Sequence, residues 1–215
     1  RDKVFEYFVH YHNMKPLLKI VETQQNRAFQ VMKLHEPHFF PSWHFHPECE
    51  LMLVQQGTGI RFVGDSIERF APGDLVFFGG NIPHLYRSDE EYYQKKEGLL
   101  SQATVIYFKE NFLGDAFLQL PDAAPVKKLL SQARQGMKLS GHIRQQVSRL
   151  MLHLVEQRDG MDRIVRLLRI LQIVQRVLVG ERGVGQRSRL IRLLDHRLGD
   201  TAQGHLQLRL DSFSV

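Results

Sequence analysis

One cysteine, one tryptophan and no long apolar run set the first limits on these 215 residues. A single thiol, Cys49, excludes an internal disulfide framework and suits a reducing compartment. No stretch approaches the roughly 18 apolar residues of a membrane span, and Arg1 to Asn13 holds no apolar signal core. The expectation is a cytoplasmic protein with no membrane partner. Lysine is absent beyond Lys138: residues 161–215 hold ten Arg, no Lys and five acids, which is +5 of the total +6. Such a basic segment suits an acidic surface or nucleic acid, or simply a solvated helix face.

What the chain does have is turn punctuation. Gly57-Thr58-Gly59, Gly64-Asp65, Pro72-Gly73-Asp74 and Gly79-Gly80-Asn81 separate short apolar runs. These runs, Phe29 to Leu34, Glu50 to Gln55, Gly59 to Val63, Leu75 to Phe78 and Ala103 to Phe108, predict strands of an all-β sandwich or barrel. Near residue 112 the period changes. Val126, Leu129, Leu130 and Ala133 share one helical face, and Ile143, Val147, Leu150, Met151 and Leu154 share another. A third apolar set, Ile164 to Leu178, is too wide for a helix packed on one side, so it predicts a buried helix or a helix–helix dimer seam. From Gly180 the composition is that of a linker, followed by one short basic helix over Ser188–Leu198.

His44, His46, Glu50 and His84 carry the chemistry. The first three lie in Trp43-His44-Phe45-His46-Pro47-Glu48-Cys49-Glu50 and the fourth in Ile82-Pro83-His84-Leu85-Tyr86. In an extended strand alternate side chains share a face, so an unbroken strand would align His44, His46 and Glu50, with Met52 and Val54 beyond them. Tyr86 shares the face of His84 in the same way. Three imidazoles and a carboxylate suit zinc, nickel, iron or manganese; without a metal they form a polar cluster or meet a ligand directly. Cys49 faces away from Glu50 and reads as a small buried apolar side chain. Trp43 reads as a core or rim aromatic, and Glu48 is left between an inward and an outward position by Pro47.

The spacing His44-x-His46, three residues, Glu50, six residues, Gly57 resembles the first cupin motif, with His38 where the family has its leading glycine. Gly73-Asp74 and His84 resemble the second, with Gly79 and Asn81 at its usual proline and glycine. Metal-binding cupins ligate one divalent ion through the residues that match His44, His46, Glu50 and His84. The wording from Ser42 to Asp89 is similar to the N-terminal sensor domain of AraC-type transcription regulators, and the likeness extends over Met14 to Leu178.

The resemblance implies a mainly β fold. It would have an N-terminal extension over 1–13, a cupin double-stranded β-helix barrel over 14–111, a helical dimerisation region over 112–178 and a basic tail over 179–215. It implies a small-molecule effector bound near Met52, Val54 and Tyr86, and a homodimer through helices 143–178. It also implies contact with DNA only through a helix-turn-helix domain, which the residues after Leu178 do not display. A truncated or frame-shifted reading after residue 180 would explain that departure. The resemblance is to regulators rather than enzymes; the alternative is a metal-dependent dioxygenase or isomerase.

Overall fold

The computed structural model describes residues 10–11, 14–22, 27–64, 66–94, 98–179 and 189–190. Among these residues eleven strands form two sheets. The five-stranded sheet runs in the order β1 (Leu17–Leu18), β3 (His44–Phe45), β8 (His84–Ser88), β5 (Gly59–Val63), β6 (Ser66–Phe70). The six-stranded sheet runs β11 (Arg189–Leu190), β10 (Met137–Leu139), β7 (Leu75–Phe78), β4 (Cys49–Gln56), β9 (Ser101–Phe108), β2 (Phe29–Glu36). All pairings are antiparallel except β1 with β3. A short helix α1 (Glu90–Tyr93) precedes β9. Helices α2 (Ala124–Ala133), α3 (Gly141–Glu156), α4 (Gly160–Val174) and α5 (Arg176–Val179) follow it, with β10 between α2 and α3.

The two sheets pack face to face, and neither closes on itself among the described residues. The expected barrel is therefore a pair of open sheets. The chain hops between them instead of following one continuous ring of hydrogen bonds. The stretch from His44 to Glu50, which would align its side chains only if the strand ran unbroken, is one such hop. His44 and Phe45 lie in one sheet, the chain turns at Pro47, and Cys49 opens a strand of the other. Proline lacks the N–H that a ladder needs, which suits a break at this point.

Strand alternation divides the interior into layers. Met52, Val54, Val76, Phe78, Val105 and Tyr107 of the six-stranded sheet meet Val63, Phe70 and Tyr86 of the other. The opposite face of the six-stranded sheet presents Cys49, Leu51, Leu53, Leu75, Phe77, Ile106 and Phe108 to the helices. Leu129, Val147, Met151, Leu154, Leu167, Ile170 and Leu171 fill that second core. On the outer side of the five-stranded sheet Trp43, Ile60, Phe62 and Leu85 pack together, with Tyr11 5.4 Å from Phe62 between ring centroids.

Helix α4 starts where Asp159 accepts a hydrogen bond from the Asp162 amide at 2.9 Å, which caps its N-terminus. Arg189 and Leu190 pair with β10 as a strand, whereas the sequence suggested a helix over 188–198; the partner's edge supplies backbone groups to bond. The rest of that expected helix, the linker at 180–187 and the remainder of the tail lie outside the described residues.

Candidate functional site

His44 and His84 face one another directly across β3 and β8, and their ring centroids are 4.3 Å apart. Glu50 comes from the opposing sheet, where it pairs with Tyr107 of β9. His46 sits in the link between the two sheets. The rings of His46 and His84 are 5.0 Å apart, and one ring nitrogen from each of His44, His46 and His84 lies within 4.8 Å of the others. Glu50 Oε2 is 3.1 Å from His46 Nε2 and 3.5 Å from His84 Nε2. The four residues that the sequence singles out thus come together, but not along one strand. They converge because a bent connection brings two sheets together, not because one strand carries three of them.

Two tight backbone approaches hold that connection. The Asn81 amide donates to the His46 carbonyl at 2.7 Å, and a Cβ on Gly80 would lie 2.1 Å from the Pro47 carbonyl oxygen, so only glycine fits there. Asn81 itself has φ +63°, the left-handed region. Asparagine tolerates that conformation better than most residues, which explains how it stands where the cupin motif has glycine.

All three histidines are buried, and each Nδ1 donates to a backbone carbonyl: His44 to Ser42 at 2.8 Å, His46 to Glu48 at 3.0 Å, His84 to Ile82 at 2.7 Å. In a neutral imidazole this leaves Nε2 as a lone pair. His44 Nε2 and His84 Nε2 are buried without a hydrogen-bond partner. Burial, and then the neighbouring His84, lower the His44 pKa to about 3, so this ring is neutral near pH 7.

Burial alone would raise Glu50, but the contact with His46 and the nearby His84 hold it well below the usual carboxylate range. His46 already donates through Nδ1, so its contact with Glu50 needs a shared proton or a cation held by both. Buried orphan nitrogens of fixed tautomer beside an ionised carboxylate are a donor set that fits a divalent transition metal. The metal would be held by His44, His46 and His84, with Glu50 beside the last two.

A small cavity adjoins the cluster. Its walls include His44, His84, Glu50, Met52 and Tyr86 together with Lys19, Phe39, Phe40 and Tyr107. Met52 and Tyr86 are thus where strand alternation expects them. Val54 is buried in the same apolar layer but does not line the cavity. Tyr107 is a residue that the sequence reading missed, although alternation along Ala103–Phe108 gives it the same face as Val105. Burial, and then the charge of Glu50 and a hydrogen bond to it, keep the Tyr107 phenol protonated. Lys19 had no sequence signal, since β1 is only two residues long.

Glu48, left open by the sequence, is buried, with Oε2 3.8 Å from His46 Nδ1. Arg61, outside the sequence frame, is also buried. It donates to Glu68 at 2.7 Å and Asp74 at 3.2 Å, and its guanidinium lies 5.7 Å from the centre of the Tyr86 ring. Trp43 is a buried aromatic of the outer layer, and Cys49 is a buried thiol on the helix side of its sheet.

Residues 33–171 match the family described as AraC-like ligand binding domain. No curated protein matches the chain. Among solved structures it is similar to the AraC-like transcriptional activator CuxR, at 9% identity over 73% of this chain and 51% of that one, TM-score 0.43. It is also similar to a cupin 2 conserved barrel domain protein from Rhodopseudomonas palustris, at 19% identity over 41% of this chain and 57% of that one, TM-score 0.32. A third is Bacillus subtilis oxalate decarboxylase, at 18% identity over 39% of this chain and 22% of that one, TM-score 0.32. The chain spans about half the length of the first two and about a fifth of the third.

Proposed function

Since the chain belongs to the AraC-like ligand binding domain family, we propose that it is the effector-sensing and dimerisation part of a DNA-binding transcription regulator. The observation that carries this reading is the cavity between the sheets, where Met52, Phe39, Phe40 and Tyr86 give apolar and aromatic walls beside a cluster of metal-type donors. Mostly apolar walls with a few fixed polar groups suit a small organic ligand. A divalent metal held by His44, His46 and His84 would supply a Lewis-acid anchor for a ligand oxygen.

Coupling follows from strand alternation. In β4 and β9, Glu50, Met52 and Tyr107 face the cavity side, while Cys49, Leu51, Ile106 and Phe108 face the helices. An effector that prefers one position of these strands moves the surface on which α3 and α4 rest, and so favours one dimer geometry. DNA contact belongs to a helix-turn-helix partner domain of the kind such regulators carry.

Filling the cavity tests this reading. Met52→Trp should fold, because its neighbours are apolar, yet abolish the thermal stabilisation given by ligands found in a screen of small organic compounds on the wild-type chain. Ligands that stabilise the variant equally would place binding elsewhere and refute the sensing cavity.

A metal-dependent dioxygenase or isomerase is the second reading, and one observation favours it: Tyr107 and Glu50, hydrogen-bonded together, both line the cavity. Turnover of a ligand, lost on chelation, would support it over sensing.

A further inference from the structure

We propose that Lys19 is the anion contact of the cavity and that its ligand is a small organic acid with an apolar or aromatic body. The proposal rests on the sensing reading above and adds the chemical class of the effector. Lys19 enters the cavity wall just after β1, and its amide is fixed by donation to the Phe45 carbonyl at 2.9 Å. Its ammonium lies 5.3 Å from the centre of the Phe40 ring and 6.0 Å from that of Tyr107. Among the described residues it has no carboxylate partner.

The other charges near the cavity are accounted for. Glu50 is bonded to His46 and Tyr107 and lies close to His84. The Arg61 guanidinium is spent on Asp74 and Glu68. Lys19 is therefore the cation left facing the cavity among the described residues.

A second donor points to the same ligand. Tyr86 lines the cavity, and its hydroxyl is buried with no hydrogen-bond partner. A phenol that stays protonated offers a hydrogen to an acceptor. An ammonium and a phenolic O–H together recognise an oxyanion, while Leu34, Phe39, Phe40 and Met52 surround its carbon skeleton.

The energetics favour an acid over its neutral analogue. Covering an ammonium with an uncharged ligand removes it from water without a counter-charge, which disfavours binding. A carboxylate supplies that charge and a charge-assisted hydrogen bond.

Calorimetric titration of the 215-residue chain with matched pairs tests the proposal: acetate and acetamide, benzoate and benzamide, phenylacetate and phenylacetamide. At least one acid should bind tenfold or more tightly than its amide. Lys19→Met should erase that preference, Lys19→Arg should keep it, and Tyr86→Phe should reduce it. Amides binding within threefold of their acids, or a preference that survives Lys19→Met, would overturn the anion contact. Binding by neutral alcohols or sugars, with no acid bound, would also overturn it and leave the sensing reading standing. A cavity that binds none of these and no compound of a wider screen would overturn both.

Discussion

Cys49 and Glu50 are neighbours in one strand, and the pleat gives them opposite chemistry. Glu50 faces the histidines and is held ionised by them, while Cys49 packs among Leu51, Phe77 and Phe108 on the helix side. Burial, and then the charge of Glu110, raise the Cys49 thiol from its ordinary 9.0 to about 12. The nucleophile is the thiolate, so the native thiol is nearly inert at pH 8. A shift of this size lowers the thiolate fraction roughly a thousandfold. Iodoacetamide should leave the folded chain unmodified at pH 8 and alkylate it once urea has unfolded it. Rapid alkylation without loss of structure would mean that Cys49 is accessible. The same shift has a sign for stability. The folded state keeps a proton that the unfolded state releases near pH 9, so this contribution is complete below pH 9 and is lost as pH rises toward 12.

At the level of elements, α4 shows how far apolar periodicity can be read. The wide apolar face left a choice between a buried helix and a dimer seam. Most of it is spent inside the chain, since Leu167, Ile170, Leu171, Ile173 and Val174 all enter the core under the six-stranded sheet. What remains outside is Met161 at 68% exposure and Val165 at 55%, one turn apart on the same face, with half-buried Leu168 following. A dimer through this helix must use Met161 and Val165 rather than Leu171. Val165→Asp should leave the melting temperature nearly unchanged, as surface substitutions do, and shift the mass in solution from dimer to monomer. Leu171→Asp should instead unfold the chain, because it buries an unpaired charge. A dimer that survives Val165→Asp would move the seam to another face. The strands were legible where alternation and turn residues coincide, as in β4, β5, β7 and β9. At β3 and β8 extended backbone was legible only through the alternation of His44 with His46 and of His84 with Tyr86, and β10, hidden between two helices, was not legible. Short strands are selected by their partners, and a partner in another part of the chain leaves no local period. The metal-type quartet was legible through its spacing even though its geometry depends on the bend at Pro47. Lys19 was missed because long-range assembly alone brings it to the cavity, and Tyr107 because alternation gives its face but not what that face meets.

For the whole molecule, the site lies where two sheets meet, and its occupancy bears on how firmly they are held together. His44 and His84 belong to the five-stranded sheet, Glu50 to the six-stranded one, and His46 to the chain between. An ion bound by this group cross-links the sheets in the folded state only. The unfolded chain scatters the ligands, so binding free energy adds to stability. A metal present at a hundred times its dissociation constant adds about 2.7 kcal/mol. In a chain of this size each kcal/mol moves the melting temperature by about 2–4 °C, so full occupancy is worth roughly 5–10 °C. Elemental analysis of the purified chain should find near one equivalent of zinc, nickel, iron or manganese, and His46→Ala should lose it while keeping its strands by circular dichroism. Chelator should lower the wild-type melting temperature by the stated amount and leave that of His46→Ala unchanged. Equal melting of the wild type with and without chelator, and no metal in either protein, would show that the three histidines and Glu50 form a polar cluster. In that case effector binding depends on the cavity walls and Lys19 alone, and the sheets are held together by the apolar layer from Met52 to Tyr107 without a metal bridge.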